Sequence, residues 1–236
     1  MGAVPSTVRP AAACDVFEAM LTRRAVRAFL PTPVEQGTVE QILAMASRAP
    51  SGTNTQPWRV WVVAGKRKQK LSDRILAAFD ADDPQSVEEY PYYPREWGEP
   101  YIGRRRKIGL DLYGLLGITK GDAAAMHRQF ARNYVFFGAP VGLFVTIERR
   151  MEVGSWYDLG TFLQSILLAA RGFSLHSCPQ QAFCRFNRII RDELAIPENQ
   201  IIACGVAIGH EDPDAVENRM RTERAAVSEF TTFLWD

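Results

Sequence analysis

Ala49-Pro50-Ser51-Gly52-Thr53-Asn54-Thr55-Gln56-Pro57-Trp58 is a rigid loop by composition. Two prolines bracket small hydroxyl, amide and glycine residues. The backbone is therefore stiff and its rim rich in donors and acceptors, which suits the polar edge of a planar heterocycle. The next residues, Arg59-Val60-Trp61-Val62-Val63-Ala64-Gly65, read as a buried strand, so the scaffold fixes the loop. Upstream lies Arg23-Arg24-Ala25-Val26-Arg27. In an extended chain, period two puts Arg23 and Arg27 on one face and Arg24 on the other, and two guanidinium forks can converge on an anion such as phosphate. The competing reading of the same arginines is a solvated helix end favoured by the helix dipole.

The rest of the composition narrows the field. The chain has 236 residues, 47% hydrophobic and 23% charged, with 28 Lys+Arg against 27 Asp+Glu and a net charge of +1. This is enough chain for a sizeable core, with no global field for nucleic acid or an anionic membrane surface, so any bound anion must be held by locally placed bases. Cys14, Cys178, Cys184 and Cys204 form no C-x-x-C pair, and no histidines lie at zinc spacing, which fits a reducing cytoplasm. The longest apolar runs, such as Val141 to Ile147, fall far short of the roughly 18 residues of a membrane span. Residues 1–14 are expected to form a flexible leader, although Met1 to Ser6 also satisfies the loose myristoylation pattern. Residues 15–236 are expected to form one domain.

Periodicity supplies the elements. Asp15 is expected to cap a helix carrying Phe17, Met20 and Leu21, and Thr38 a second with Val39, Ile42, Leu43 and Ala46 on one stripe. Further helices are expected through Leu71 to Phe79, Ile102 to Leu116, Ala123 to Phe137, Tyr157 to Ala170 and Arg185 to Leu194. Strands are expected at Val141 to Ile147, at Ile201 to Ile208 as a buried central strand, and in the Phe230-Thr231-Thr232-Phe233 tail. Between Asp80 and Gly103 periodicity gives way to acidic, Tyr and Pro residues, an irregular excursion whose aromatics argue against disorder.

No P-loop, H-E-x-x-H, G-x-S-x-G or strand-linked G-x-G-x-x-G is present. His127, His176 and His210 read as surface or packing residues. Asp82-Asp83 and Glu88-Glu89 read as solvated carboxylates.

Arg23 to Phe29 as R-R-x-V-R-x-F, then Ala49 to Trp58 as A-P-S-G-x-N-x-Q-P-W, closely resemble the nitroreductase family of flavin-dependent oxidoreductases. Cys178-Pro179-Gln180-Gln181-Ala182-Phe183, Gly205 to Gly209 and Arg221-Thr222-Glu223-Arg224 extend the likeness from Phe17 to Phe233. Tyr93-Pro94-Arg95-Glu96-Trp97 and Tyr113 to Gly117 are similar to the branch with nitrobenzoate and dinitroaniline reductases.

The resemblance implies an α+β fold, with a central, mostly antiparallel sheet flanked by helices, a domain-swapped C-terminal tail and a homodimer binding FMN at sites built from both subunits. It implies that Arg23 and either Arg221 or Arg224 hold the FMN phosphate, with Arg24 nearby, Ala25 contributing only its backbone N–H, and Arg27 at the pyrimidine edge. Pro50, Ser51, Gly52 and Asn54 would reach the ring of the partner's site, and Pro179, Gln180 and Gln181 would lie beside the isoalloxazine. The implied reaction is ping-pong hydride transfer from NADH or NADPH through flavin N5 to a nitroaromatic, with no catalytic side chain. Trp97, Tyr101, Tyr113 and Leu116 would wall the substrate, with Arg104, Arg105 and Arg106 as anchors, and residues 80–120 would cover the site. The bland reading keeps Tyr113 and Leu116 as core and the arginines as a solvated helix face. The shared motifs also serve reductive dehalogenases, ene-reductases and flavin-fragmenting oxygenases, and would persist in a non-catalytic flavin-binding dimer.

Overall fold

The computed structural model describes residues 15–235; the leader, its myristoylation pattern and Cys14 lie outside them. In chain order the described residues form α1 (Val16–Thr22), α2 (Gln36–Ala46), β1 (Trp58–Ala64), α3 (Gly65–Asp80), α4 (Tyr101–Leu115), α5 (Ala123–Ala131), β2 (Val141–Glu148), α6 (Val153–Gly172), β3 (His176–Gln180), α7 (Asn187–Leu194), β4 (Gln200–Gly209) and α8 (Val227–Phe230). The strands make one sheet in the order β1-β2-β4-β3, with antiparallel pairing throughout.

Every residue of β4 is buried, as its unbroken apolar run predicts, because β2 and β3 cover its edges and helices cover both faces. One face meets α2 and α6 through Leu143, Val145, Val206 and Ile208. The other meets α3, α7 and the short turns Arg132–Gly138 and Gln181–Phe186 through an aromatic cluster of Phe136, Phe144, Phe183 and Phe186. This cluster needs two glycines. Phe136 lies over Gly142 and Phe183 over Gly205, so that a Cβ at Gly205 would stand 2.5 Å from the Phe183 ring.

A bulge shapes the sheet. Val145 pairs with Cys204 and Thr146 with Ile202, leaving Ala203 without a partner on β2. Its carbonyl accepts a hydrogen bond from the Tyr90 hydroxyl at 2.6 Å.

Several sequence expectations are corrected. Thr38 sits inside α2, which starts at Gln36 after Glu35 and has no side-chain cap. β1 is an edge strand with Arg59, Val62 and Ala64 exposed, since an apolar run alone does not separate edge from centre. The helix expected through Phe137 stops at Ala131, because Phe136 and Phe137 take φ of 54° to drop their rings into the core before β2. β3 was not foreseen, being short and polar with a proline tolerated near the sheet edge. The tail forms the single turn α8 at Val227–Phe230, and Thr231 to Phe233, expected to lie in a strand, have no regular secondary structure. The Asp15 cap holds, its carboxylate accepting from the Glu18 N–H at 2.8 Å.

Gly205→Ala should cost about 1–3 kcal/mol by overpacking. Thermal unfolding should show a lowered midpoint, partly recovered when Phe183→Leu is added.

Candidate active site

Between the bulged part of the sheet, α6, α4 and the excursion lies a cavity of about 880 Å³. Arg27, Pro179, Gln180 and Gln181 line it from the β3 side, Trp156, Gly160 and Leu163 from α6, and Tyr90, Tyr92, Tyr93, Arg105, Leu112 and Tyr113 from the excursion and α4.

The arginine segment is extended, as period two requires. Ala25 bridges Ser177 of β3, and the Val26 N–H donates to the Ser177 carbonyl at 3.1 Å. Four residue steps of about 3.3 Å separate Arg23 from Arg27 by roughly 13 Å. Their roles divide accordingly. Arg27 faces the cavity, whereas Arg23 lies beside Arg224. Burial first, and then the Arg224 charge, hold the Arg23 guanidinium below its ordinary value, and neither arginine has a carboxylate partner among the described residues. Arg221 folds onto the backbone carbonyls of Asn218 and Met220. Arg24 points elsewhere: its guanidinium is ion-paired with Glu211.

The Pro50 to Asn54 loop is rigid but lies away from this cavity. Trp58 stacks on Phe162 of α6 with ring centroids 4.5 Å apart, the Gly52 N–H donates to Asp158 at 3.2 Å, and the Thr161 hydroxyl donates to the Pro50 carbonyl at 3.1 Å. Thr53, Asn54 and Gln56 have positive φ, so the turn is held in a strained shape with Gly52 and Asn54 exposed.

Gln180 is buried. Its amide nitrogen donates to the Asn133 carbonyl at 2.8 Å, while its Oε1 has no donor. An unpaired acceptor on the cavity wall is costly unless a ligand donates to it.

The excursion is ordered by side chains from elsewhere. Arg191, nearly buried, donates to Glu89 at 3.0 Å and to the Gln200 carbonyl at 2.9 Å; Arg149 donates to Glu89 at 2.6 Å. Asn187 donates to the Val87 carbonyl at 2.6 Å, and Gln181 to the Tyr90 hydroxyl at 2.8 Å. Of the expected substrate residues, Tyr113 lines the cavity. Trp97 does not; it packs on Tyr93 and Arg105. Tyr101 points to solvent, Leu116 ends α4 off the wall, and Arg104 pairs weakly with Glu229 at 3.5 Å. Tyr90, Tyr92, Trp156 and Asn133 were missed as wall residues. The Tyr90-Pro91-Tyr92-Tyr93 run was the available signal, whereas Trp156 and Asn133 carried none.

No side chain here is a ready nucleophile. Burial pushes the Cys178 thiol up to about 11 and the Cys204 thiol up to about 12, so both stay protonated at neutral pH. No cluster of metal-binding side chains exists among the described residues.

Residues 20–210 match the Nitroreductase family. The chain belongs to the nitroreductase family. It is 41% identical over 221 residues to the 4-nitrobenzoate reductase of Pseudomonas putida, covering 93% of this chain and 96% of that one. It is 38% identical to the nitrobenzene nitroreductase of Ectopseudomonas oleovorans, covering 90% and 93%. The structure of an FMN and NADPH-dependent nitroreductase from Sphigopyxis sp. strain HMH superposes with a TM-score of 0.90 at 38% identity, covering 94% of this chain and all of that one. The α+β nitroreductase fold expected from the motifs is the fold observed.

Beneath the arginine segment, His176 is half-buried with its Nε2 2.9 Å from Arg171 and 3.2 Å from Glu211. Burial, then Arg171, Arg24 and His210, depress it to about 4. The unfolded chain takes up this proton near pH 6.5 and the native state refuses it, so the stabilisation is complete above 6.5 and is lost as pH falls toward 4. Urea unfolding should show a decline over that window of at most about 3 kcal/mol, flattened in His176→Asn.

Proposed function

We propose that the protein is an FMN-dependent NAD(P)H nitroreductase acting on nitroaromatic compounds as a homodimer. The observation that carries the reading is the Arg23–Arg224 pair, two cations with no carboxylate partner among the described residues, of which Arg23 starts the same extended segment that sends Arg27 to the cavity. The donor set fits the cofactor: Arg23 and Arg224 would hold its phosphate, Arg27 an electron-rich ring edge, and the orphan Gln180 Oε1 would accept from a ring N–H. Ala25 would offer only backbone, and Pro179 and Gln181 a wall. Bound there, FMN would supply the two-electron redox chemistry, with hydride exchange at its N5 linking NADH or NADPH to the nitro group in two ping-pong half-reactions.

The chain's own residues do the rest. The Arg27 cation stabilises negative charge that develops near it, and it is placed in advance by an Asn218 side chain accepting from its backbone N–H at 2.8 Å. Tyr90, Tyr92, Tyr93 and Trp156 present flat faces to an aromatic acceptor and exclude water. Residues 80–120 form the cover of a single domain spanning 15–236.

Dimerisation would complete the site. Pro50, Ser51, Gly52 and Asn54 are held rigidly on the side of α6 away from their own cavity, which suits presentation to a partner's ring. Val16, Phe17, Met20 and Leu21 of α1, and Phe230, Phe233, Leu234 and Trp235 of the tail, are exposed apolar side chains that association would cover. A swapped tail has a place to pair in the free edge of β1.

Anaerobic titration tests the reading. The purified yellow dimer should bleach with NADPH or NADH and recover colour on addition of a nitroarene. A colourless protein, or one unbleached by either nucleotide, would refute it. Arg23→Ala and Arg224→Ala should each weaken FMN retention about tenfold or more, a loss of about 1.4 kcal/mol, with Arg221→Ala having less effect. Equilibrium dialysis reads the difference.

A further inference from the structure

We propose that Arg105 is the specificity anchor of this site and that it selects nitroarenes carrying a carboxylate. The inference rests on the nitroreductase reading and names its substrate class. Of three consecutive arginines on α4, Arg105 is the one that lines the cavity; Arg104 pairs with Glu229, and Arg106 is exposed off the wall. The Arg105 guanidinium lies 5.0 Å from the Tyr93 ring centre and 4.9 Å from that of Trp97, whose centroids are 5.4 Å apart. Contact with two aromatic rings holds the guanidinium in place through cation–π attraction. Its N–H edge remains, and Arg105 has no hydrogen-bond or ion-pair partner among the described residues.

That arrangement is a preorganised fork for a carboxylate. A planar edge with parallel donors matches the two carboxylate oxygens, and a ring-clamped side chain loses little freedom on binding. With Arg27 assigned to the cofactor, Arg105 is the remaining cation on the described wall, which is otherwise largely aromatic and aliphatic. Glu88 is the one carboxylate on that wall, and it makes no ion pair with Arg105. The assignment bears on a real division among the relatives, since one is named for 4-nitrobenzoate and another for neutral nitrobenzene.

The test compares 4-nitrobenzoate with the neutral, near-isosteric 4-nitrobenzamide in NADPH-driven steady-state kinetics of the FMN-loaded protein. Direct binding of benzoate and benzamide to the oxidised holoprotein is followed by calorimetry. The wild type should prefer the acid in both assays. Arg105→Met should raise KM for the acid relative to the amide roughly tenfold, mainly in KM and little in kcat, with the same loss in the benzoate Kd. Arg105→Lys should keep part of the preference, and Arg106→Met all of it. Equal effects of Arg105→Met on acid and amide, or a wild type that binds benzoate no tighter than benzamide, would overturn the anchor. A wild type that binds benzoate preferentially yet reduces neither nitro compound would instead overturn the nitroreductase reading and leave the anchor standing.

Discussion

The site depends on a strand that is buried along its whole length. From Gln200 to Gly209 every residue of β4 is buried, so each backbone group must find a partner inside the protein. Ladders with β2 and β3 meet most of that demand, and the bulge at Ala203 leaves a carbonyl that they do not reach. Tyr90 meets it from the excursion. One backbone requirement thereby ties the cavity cover to the sheet, while β3, on the other side of β4, carries the Arg23–Arg27 segment into register.

Charge is distributed by the same logic. Three buried or half-buried arginines have carboxylates: Arg24 has Glu211, Arg132 has Glu217, and Arg191 has Glu89. Arg27 and Arg105 line the cavity without one, and Arg23 stands beside Arg224 rather than beside a carboxylate. In a chain with a net charge of only +1, such local imbalance is informative, because like charges brought together cost energy unless an anion joins them.

The excursion shows why an irregular segment can be ordered. It has little periodicity to bury, yet residues 86–90 are held by Arg185, Asn187, Arg191, Arg149 and Gln181, mostly side chains of α7 and the turn before it. Side-chain donors to its backbone carbonyls, to the Glu89 carboxylate and to the Tyr90 hydroxyl replace the missing secondary structure. The cover can therefore be aromatic and still well placed.

The sequence by itself determined the family motifs, the buried central strand and most helices, because unbroken apolar runs and capping residues act locally. It also indicated which arginines to watch, since period two depends only on extended backbone. Only the tertiary structure decided that Arg24 pairs with Glu211, that Arg224 rather than Arg221 stands beside Arg23, that Arg105 rather than Arg104 faces the cavity, and that β1 is an edge. It also separated the Pro50 to Asn54 loop from the cavity of its own chain. Each of these turns on which side chain meets which across many residues of chain, and such pairing leaves no trace in local periodicity.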